Sequence, residues 1–171
     1  MLSGINGTSI MKKIQLFLLL ILSLIGVNLT GCTWNHSNAT LNIDIQTVSY
    51  LNPNANGRPS PLVLTFYQLK SPYQFKQLSY DQLTENAGKY LGNDLLDKQS
   101  LEARPNNKQT WHLSLGEETN YIGIVASFRN IDHAQWRQRI KLKKPGHTTS
   151  IWVDCQSQAI KADAYQSEFK L

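Results

Sequence analysis

Four histidines, two cysteines and a sparse set of carboxylates are the side chains here that could act on a substrate or hold a metal. His36, His112, His133 and His147 stand far apart, and none has the His-x-x-x-His or similar spacing that turns two imidazoles onto one ion. Such scatter reads as solvated histidines, with His112 on the polar side of a strand. Gly-x-Ser-x-Gly is missing, and so is a phosphate-binding loop. Asp81, Glu85, Asp94 and Asp97 fall in one stretch, where paired carboxylates could serve as acid and base. With Lys89 and Lys98 among them, the stretch reads as charged surface. Cys155 ends the apolar, strand-like Ile151-Trp152-Val153-Asp154-Cys155 and reads as a buried, inert thiol. Neither catalysis nor a metal nor a cofactor is expected.

Cys32 is different. Met11-Lys12-Lys13 is a basic start, an apolar run follows over residues 14–27, and Leu29-Thr30-Gly31-Cys32 closes it. Charged head, short apolar run and small residues before a cleavage point make a secretory signal. The run falls short of the ~20 apolar residues that a stable membrane span needs. Gly31 leaves the bond before Cys32 open to a peptidase, and the thiol can take a lipid, as in the lipobox of bacterial lipoproteins. The competing reading is an ordinary secretory signal with an incidental cysteine. Residues 1–31 are therefore expected to be a cleaved lipoprotein signal peptide, and Met11 is a second candidate start. Residues 32–40 are polar and rich in Asn, Ser and Thr, which suits a flexible tether. An Asp after the lipidated cysteine commonly retains lipoproteins in the inner membrane, so Thr33 favours the outer membrane, with the protein on its periplasmic face. With Cys32 on lipid, Cys155 has no disulfide partner within the chain.

Removing Lys12 and Lys13 from the 17 Lys and Arg leaves 15 against 12 acids, a net charge of +3. So mild a charge on an exported chain does not point to nucleic acid. The remaining length suits one domain with a modest core.

The elements that position these residues read mostly as strands. Residues 41–48 alternate apolar and polar, as a half-buried strand does. Residues 62–69 are a second, more apolar strand. Ser71-Pro72 is a helix start, with a short helix expected over 73–78. A second is expected over 79–89, capped by Ser79 or Asp81 and interrupted at Gly88. Further strands are expected over 94–103, 109–115, 121–128, 136–142, 148–155 and 159–169, with turns at Arg104-Pro105-Asn106-Asn107, 116–120 and Pro145-Gly146. Gly123 permits close packing on the dense strand 121–128, and Trp111, Trp136 and Trp152 are expected in the core. Seven or eight short strands with one helical insertion near 72–90 predict a mainly β fold, a β-sandwich of largely antiparallel pairing over residues 41–171.

Two surface features stand out. Arg137, Arg139, Lys141, Lys143 and Lys144 make a basic strand face running into a turn. It reads as a solvated face that discourages edge pairing, or alternatively as a contact for anionic head groups or an acidic partner. Asn52-Pro53-Asn54-Ala55-Asn56-Gly57-Arg58-Pro59-Ser60-Pro61 cannot continue a strand or helix. It is long for a hairpin connection, and its prolines restrict it before any partner arrives. A binding loop and a passive connection are both open on this reasoning.

Residues 51–62, continuing through Val63-Leu64-Thr65-Phe66-Tyr67-Gln68-Leu69-Lys70, resemble the signature stretch of the TssJ family, the type VI secretion system lipoproteins also called SciN or VasD. Residues 121–132 followed by Trp136-Arg137 resemble its second block. The likeness covers 41–155 and weakens over 81–107 and past Gln156. It implies a transthyretin-like β-sandwich with a small helical addition, held in the outer membrane by lipid on Cys32. It implies binding to the periplasmic C-terminal region of TssM within a TssJLM complex, with no enzyme activity and no small-molecule substrate. In that family the loop between the first two strands contributes to TssM binding, which here assigns residues 52–61 as the partner site. The alternative is a small-ligand-binding lipoprotein, which would need a sizeable apolar cavity with converging polar groups. A hydrolase of transthyretin-like fold would instead want clustered His, Arg and Ser, which this sequence scatters.

Overall fold

The computed structural model describes residues 39–165, together with Lys12, Lys13, Gln15 and Phe17. The signal peptide's cleavage point, Cys32 and residues 32–38 of the expected tether lie outside the described residues, as do residues 166–171.

Among the described residues eight strands form two sheets. They are β1 (Thr40–Thr47), β2 (Leu62–Leu69), β3 (Leu95–Ala103), β4 (Lys108–Ser114), β5 (Tyr121–Ala126), β6 (Arg137–Lys141), β7 (Thr149–Cys155) and β8 (Ile160–Tyr165). One sheet has the order β4-β1-β7-β8, the other β3-β2-β5-β6. Between β2 and β3 lie the helices α1 (Tyr73–Gln77) and α2 (Tyr80–Leu91). This is a transthyretin-like sandwich with a helical insertion, as the resemblance implies.

Period-two patterning builds the core. Leu41, Ile43 and Ile45 of β1 face Leu62, Leu64 and Phe66 of β2 and Ile122 and Ile124 of β5, closed by Ile151, Val153 and Ile160. The β2–β5 sheet is also covered outside. Tyr67, Leu69 and Val125 meet Phe75, Leu83, Ala87 and Leu91 of the helices. Two covered faces explain why β2 and β5 are apolar almost throughout rather than alternating. Tyr67 donates its hydroxyl to the Leu83 carbonyl (2.9 Å), and burial pushes its pKa up to about 12.

The pairing is largely antiparallel, as expected, with one parallel pair: β1 and β7 run alongside each other from Leu41↔Thr149 to Thr47↔Cys155. Each connection reverses the chain, so two odd-numbered neighbours must be parallel. Several expectations need correction. The tether stops short of residue 40, because Ala39 is small enough to be buried, its carbonyl accepts from Leu115 N (2.8 Å), and Thr40 opens β1. Ser79 does cap α2, in a reciprocal capping box with Gln82. The helix breaks at Asn86 (φ −145°, ψ 55°) rather than at Gly88. The Asn86 side chain accepts from Lys89 N (3.4 Å), a local bond that competes with the helical ladder. Trp152 is exposed, because it points outward between the inward Ile151 and Val153.

Arg137 is not part of a solvated basic face. Its Nη1 donates to the carbonyls of Phe75 (2.9 Å) and Leu78 (2.7 Å), and its guanidinium lies over Trp136 at 4.7 Å. It thus satisfies the carbonyl end of α1, which has no further helical turn to bond to.

Candidate partner-binding loop

The loop after β1 stands on a platform built from every connection at its end of the sandwich. Thr47 Oγ1 donates to Arg104 O (2.6 Å), and Asn106 N to Val48 O (3.0 Å), which ties in the β3–β4 turn. Asn52 N donates to Ser157 O (3.1 Å), which ties in the β7–β8 turn. The Asn52 side chain completes the set: Oδ1 accepts from Arg129 N (2.9 Å) of the β5–β6 connection, and Nδ2 donates to Pro61 O (2.7 Å). Asn52 holds φ 43°, a left-handed conformation that Asn tolerates better than most residues.

The tip is ordered by Asn54. Its Oδ1 accepts from the backbone N–H of Asn56 (3.0 Å) and of Arg58 (2.9 Å). Its own N–H donates to Arg58 O (2.9 Å), and Gly57 N donates to Asn54 O (2.9 Å). Gly57 takes φ +71°, and a Cβ there would meet the Tyr50 hydroxyl at 3.3 Å. Ser60 N closes the stem onto Leu51 O (2.9 Å). Few backbone groups are left to be ordered by a partner, so binding here costs little conformational freedom.

The ten residues divide accordingly. Ala55, Asn56, Gly57, Arg58, Pro59 and Pro61 are exposed, Pro53 and Asn54 half-buried, and Asn52 and Ser60 buried. Only the tip can offer side chains to another molecule, while Asn52 and Asn54 act by shaping it. Sequence reasoning did not include the neighbours that share this end, exposed Tyr50 and Arg129. Arg129 is 77 residues from Asn52, and nothing local joins them. The one signal was that each falls in a stretch carrying the family resemblance.

Other candidates stay apart. His112 Nδ1 bonds Asn42 Oδ1 (2.8 Å), His133 Nδ1 bonds Asn130 Oδ1 (3.0 Å), and His147 Nδ1 approaches Pro145 O (3.1 Å); His36 lies outside the described residues. Asp97 accepts from Gln68 and Gln99, and Asp81 and Glu85 are exposed on α2. Among the described residues no three His, Cys, Asp or Glu gather as a metal site. The inter-sheet space that a small-ligand reading requires is filled by Leu41, Ile43, Leu64, Phe66 and Ile124. An open trough lies on the outer face of β1, β4 and β7, beside Asp44, Thr110 and Trp152.

The model of one protein family, described as "Type VI secretion lipoprotein, VasD, EvfM, TssJ, VC_A0113", matches residues 39–161. The chain belongs to this family. A crystal structure of the type VI secretion lipoprotein TssJ1 from Pseudomonas aeruginosa is 32% identical, with a TM-score of 0.70, covering 76% of this chain and 98% of that one. Serratia marcescens Lip, described as a membrane-bound component of the type VI secretion system, has the same fold at 18% identity (TM-score 0.67, covering 76% and 98%). So does a chain of the structure described as the TssM C-terminal domain (869–1107) from EAEC, at 19% identity (TM-score 0.62, covering 74% and 98%). No curated protein matches.

Proposed function

We propose that this chain is anchored in the outer membrane by lipid on Cys32, faces the periplasm, and grips the periplasmic C-terminal region of TssM with the tip of the loop over residues 52–61. In a TssJLM complex it would tie the secretion apparatus to the envelope. The observation that carries this reading is the direction of β1. The chain enters the sandwich at Ala39, and the loop follows the opposite end of the strand. Eight residues of strand span roughly 26 Å, so a domain tethered through its N-terminus holds the loop at its far end. A preformed tip pointing away from the anchor suits a partner that reaches across the periplasm. The lipobox before Cys32 and Thr33 after it support the anchor. Family membership and the fold shared with a chain of the TssM-domain structure support the partner.

The role is mechanical and uses no cofactor besides the lipid. Several acyl chains on one cysteine hold a protein far better than one, at about 0.8 kcal/mol per buried CH₂. Many copies around one assembly would add avidity.

The test is binding of the purified lipoprotein in detergent to the periplasmic region of its cognate TssM. Asn56→Ala and Arg58→Ala together should abolish binding without unfolding the protein, since both side chains are exposed. Retained binding would move the interface off the loop. Absence of binding by folded wild type at high concentration would remove TssM as the partner.

A further inference from the structure

Lys141, Lys143 and Lys144 stand at the end of the sandwich where Ala39 enters. Lys141 is the last residue of β6, and the other two lie in the turn to β7. That turn leads to Thr148, whose Oγ1 accepts from Thr40 N (3.2 Å), and to Thr149, which pairs with Leu41. Leu142 fixes the direction of its neighbours. It is buried, and its N–H donates to Asn120 O (2.9 Å), so the lysines on either side project outward and are exposed. The turn is held by His147 N donating to Lys144 O (3.3 Å) and by Gly146 at φ +70°.

Among the described residues these three ammonium groups have no carboxylate partner. Among the described residues the ion pairs are Lys70 with Glu118 (2.7 Å) and Arg104 with Glu102 (3.7 Å). The described acids nearest this end are half-buried Asp94 and exposed Glu117 and Glu118, and Glu118 is engaged by Lys70. If Cys32 carries lipid, residues 33–39 can hold Ala39 no more than about 25 Å from the bilayer even when fully extended. Cations fixed at that end are therefore within reach of the head-group phosphates.

We propose that Lys141, Lys143 and Lys144 dock the sandwich end-on against the anionic phospholipid head groups of the leaflet that holds the Cys32 lipid, which directs the loop over residues 52–61 away from the membrane. This rests on the lipid anchor proposed above. Lipid on Cys32 limits the distance of the domain from the bilayer but does not set its orientation; the lysines set it. Three lysines at an anionic surface shift the ratio of docked to undocked domain by roughly a hundredfold, and salt erases the shift.

The test uses the lipidated full-length protein with His147→Cys, labelled with a polarity-sensitive dye. Buried Cys155, with its raised thiol pKa, does not compete for the label. The protein is bound to vesicles of phosphatidylcholine alone or with phosphatidylglycerol, and flotation is scored first. Emission should shift to the blue only with phosphatidylglycerol, return in high salt, and fail to shift when all three lysines are changed to Gln. Equal emission on both vesicles, or a shift that survives the triple change, would overturn the docking while leaving the anchor intact. Failure to float with either vesicle would overturn the anchor and the docking with it.

Discussion

The ring of Phe75 lies so close over Gly123 that a Cβ on the glycine would stand 2.5 Å from the ring's Cζ. Gly123 is in the middle of β5, where a glycine weakens a strand unless something must approach the backbone. Here it is the buried aromatic that pins α1 to the sheet, with Tyr67 beside it at 5.4 Å between ring centres. Gly123→Ala should therefore destabilise the protein by about 1–3 kcal/mol through overpacking. The same change in a Phe75→Leu background should cost clearly less, because the clash is with the ring. Urea unfolding of the four proteins measures this coupling, and strictly additive costs would mean that ring and glycine are not in contact.

Asn52 makes a prediction that separates shaping the loop from touching a partner. Its side chain serves Arg129 N and Pro61 O in a buried setting, and unmade buried bonds cost about 1–3 kcal/mol each. Asn52→Ala should lower stability by about 2–4 kcal/mol. Asn52→Gly loses the same bonds but accepts φ 43° freely, so it should lose about 1 kcal/mol less than alanine. If the loop grips TssM as proposed, both should also weaken that binding although the side chain is buried. An alanine variant as stable as wild type would show that these bonds do not hold the loop in solution.

How much of this was legible in advance depended on range. β2 matches its expected limits, and Ser79 announces α2 through its spacing to Gln82, because period and capping are local. The loop over 52–61 was visible from its prolines and asparagines. What Asn52 does was not, since its acceptors and donors come from residues 61, 129 and 157, gathered only by the fold. The parallel β1–β7 pair was hidden for the same reason: pairing between strands distant in sequence leaves no local pattern. Arg137 misled because alternation puts it on the polar side of β6, and that side proves to be covered by α1. Trp152 misled in the opposite sense, since its size suggested the core while its parity placed it outside.

Cys155 should be chemically silent. It is fully buried on β7, and burial, with Asp154 adding to it, pushes its thiol up to about 12. The thiolate is the reactive form, so at pH 8 a maleimide should label the native protein far more slowly than the urea-unfolded protein. Rapid labelling of the native form would place β7 in a more open state.

The acid limb of stability should carry a contribution from the outer face of the β4-β1-β7-β8 sheet. There the Tyr165 hydroxyl donates to Asp44 Oδ2, and Thr110 Oγ1 donates to Asp44 Oδ1 (2.7 Å). These bonds, that from Tyr165 first, hold the Asp44 carboxyl below its ordinary 3.8, and the same bond holds the Tyr165 phenol above its ordinary 10.0. A lowered carboxyl adds stability above its unfolded pKa and loses it as pH falls through the folded one. A raised phenol adds stability below its unfolded pKa and loses it as pH rises through the folded one. The pair therefore stabilises between about pH 4 and pH 10, modestly because it is exposed. Tyr165→Phe should be less stable than wild type at pH 7, with the gap closing as pH drops below the ordinary carboxylate range. Chemical unfolding midpoints against pH for the two proteins test this, and a gap that stays constant down to pH 2 would exclude Asp44 as the acceptor.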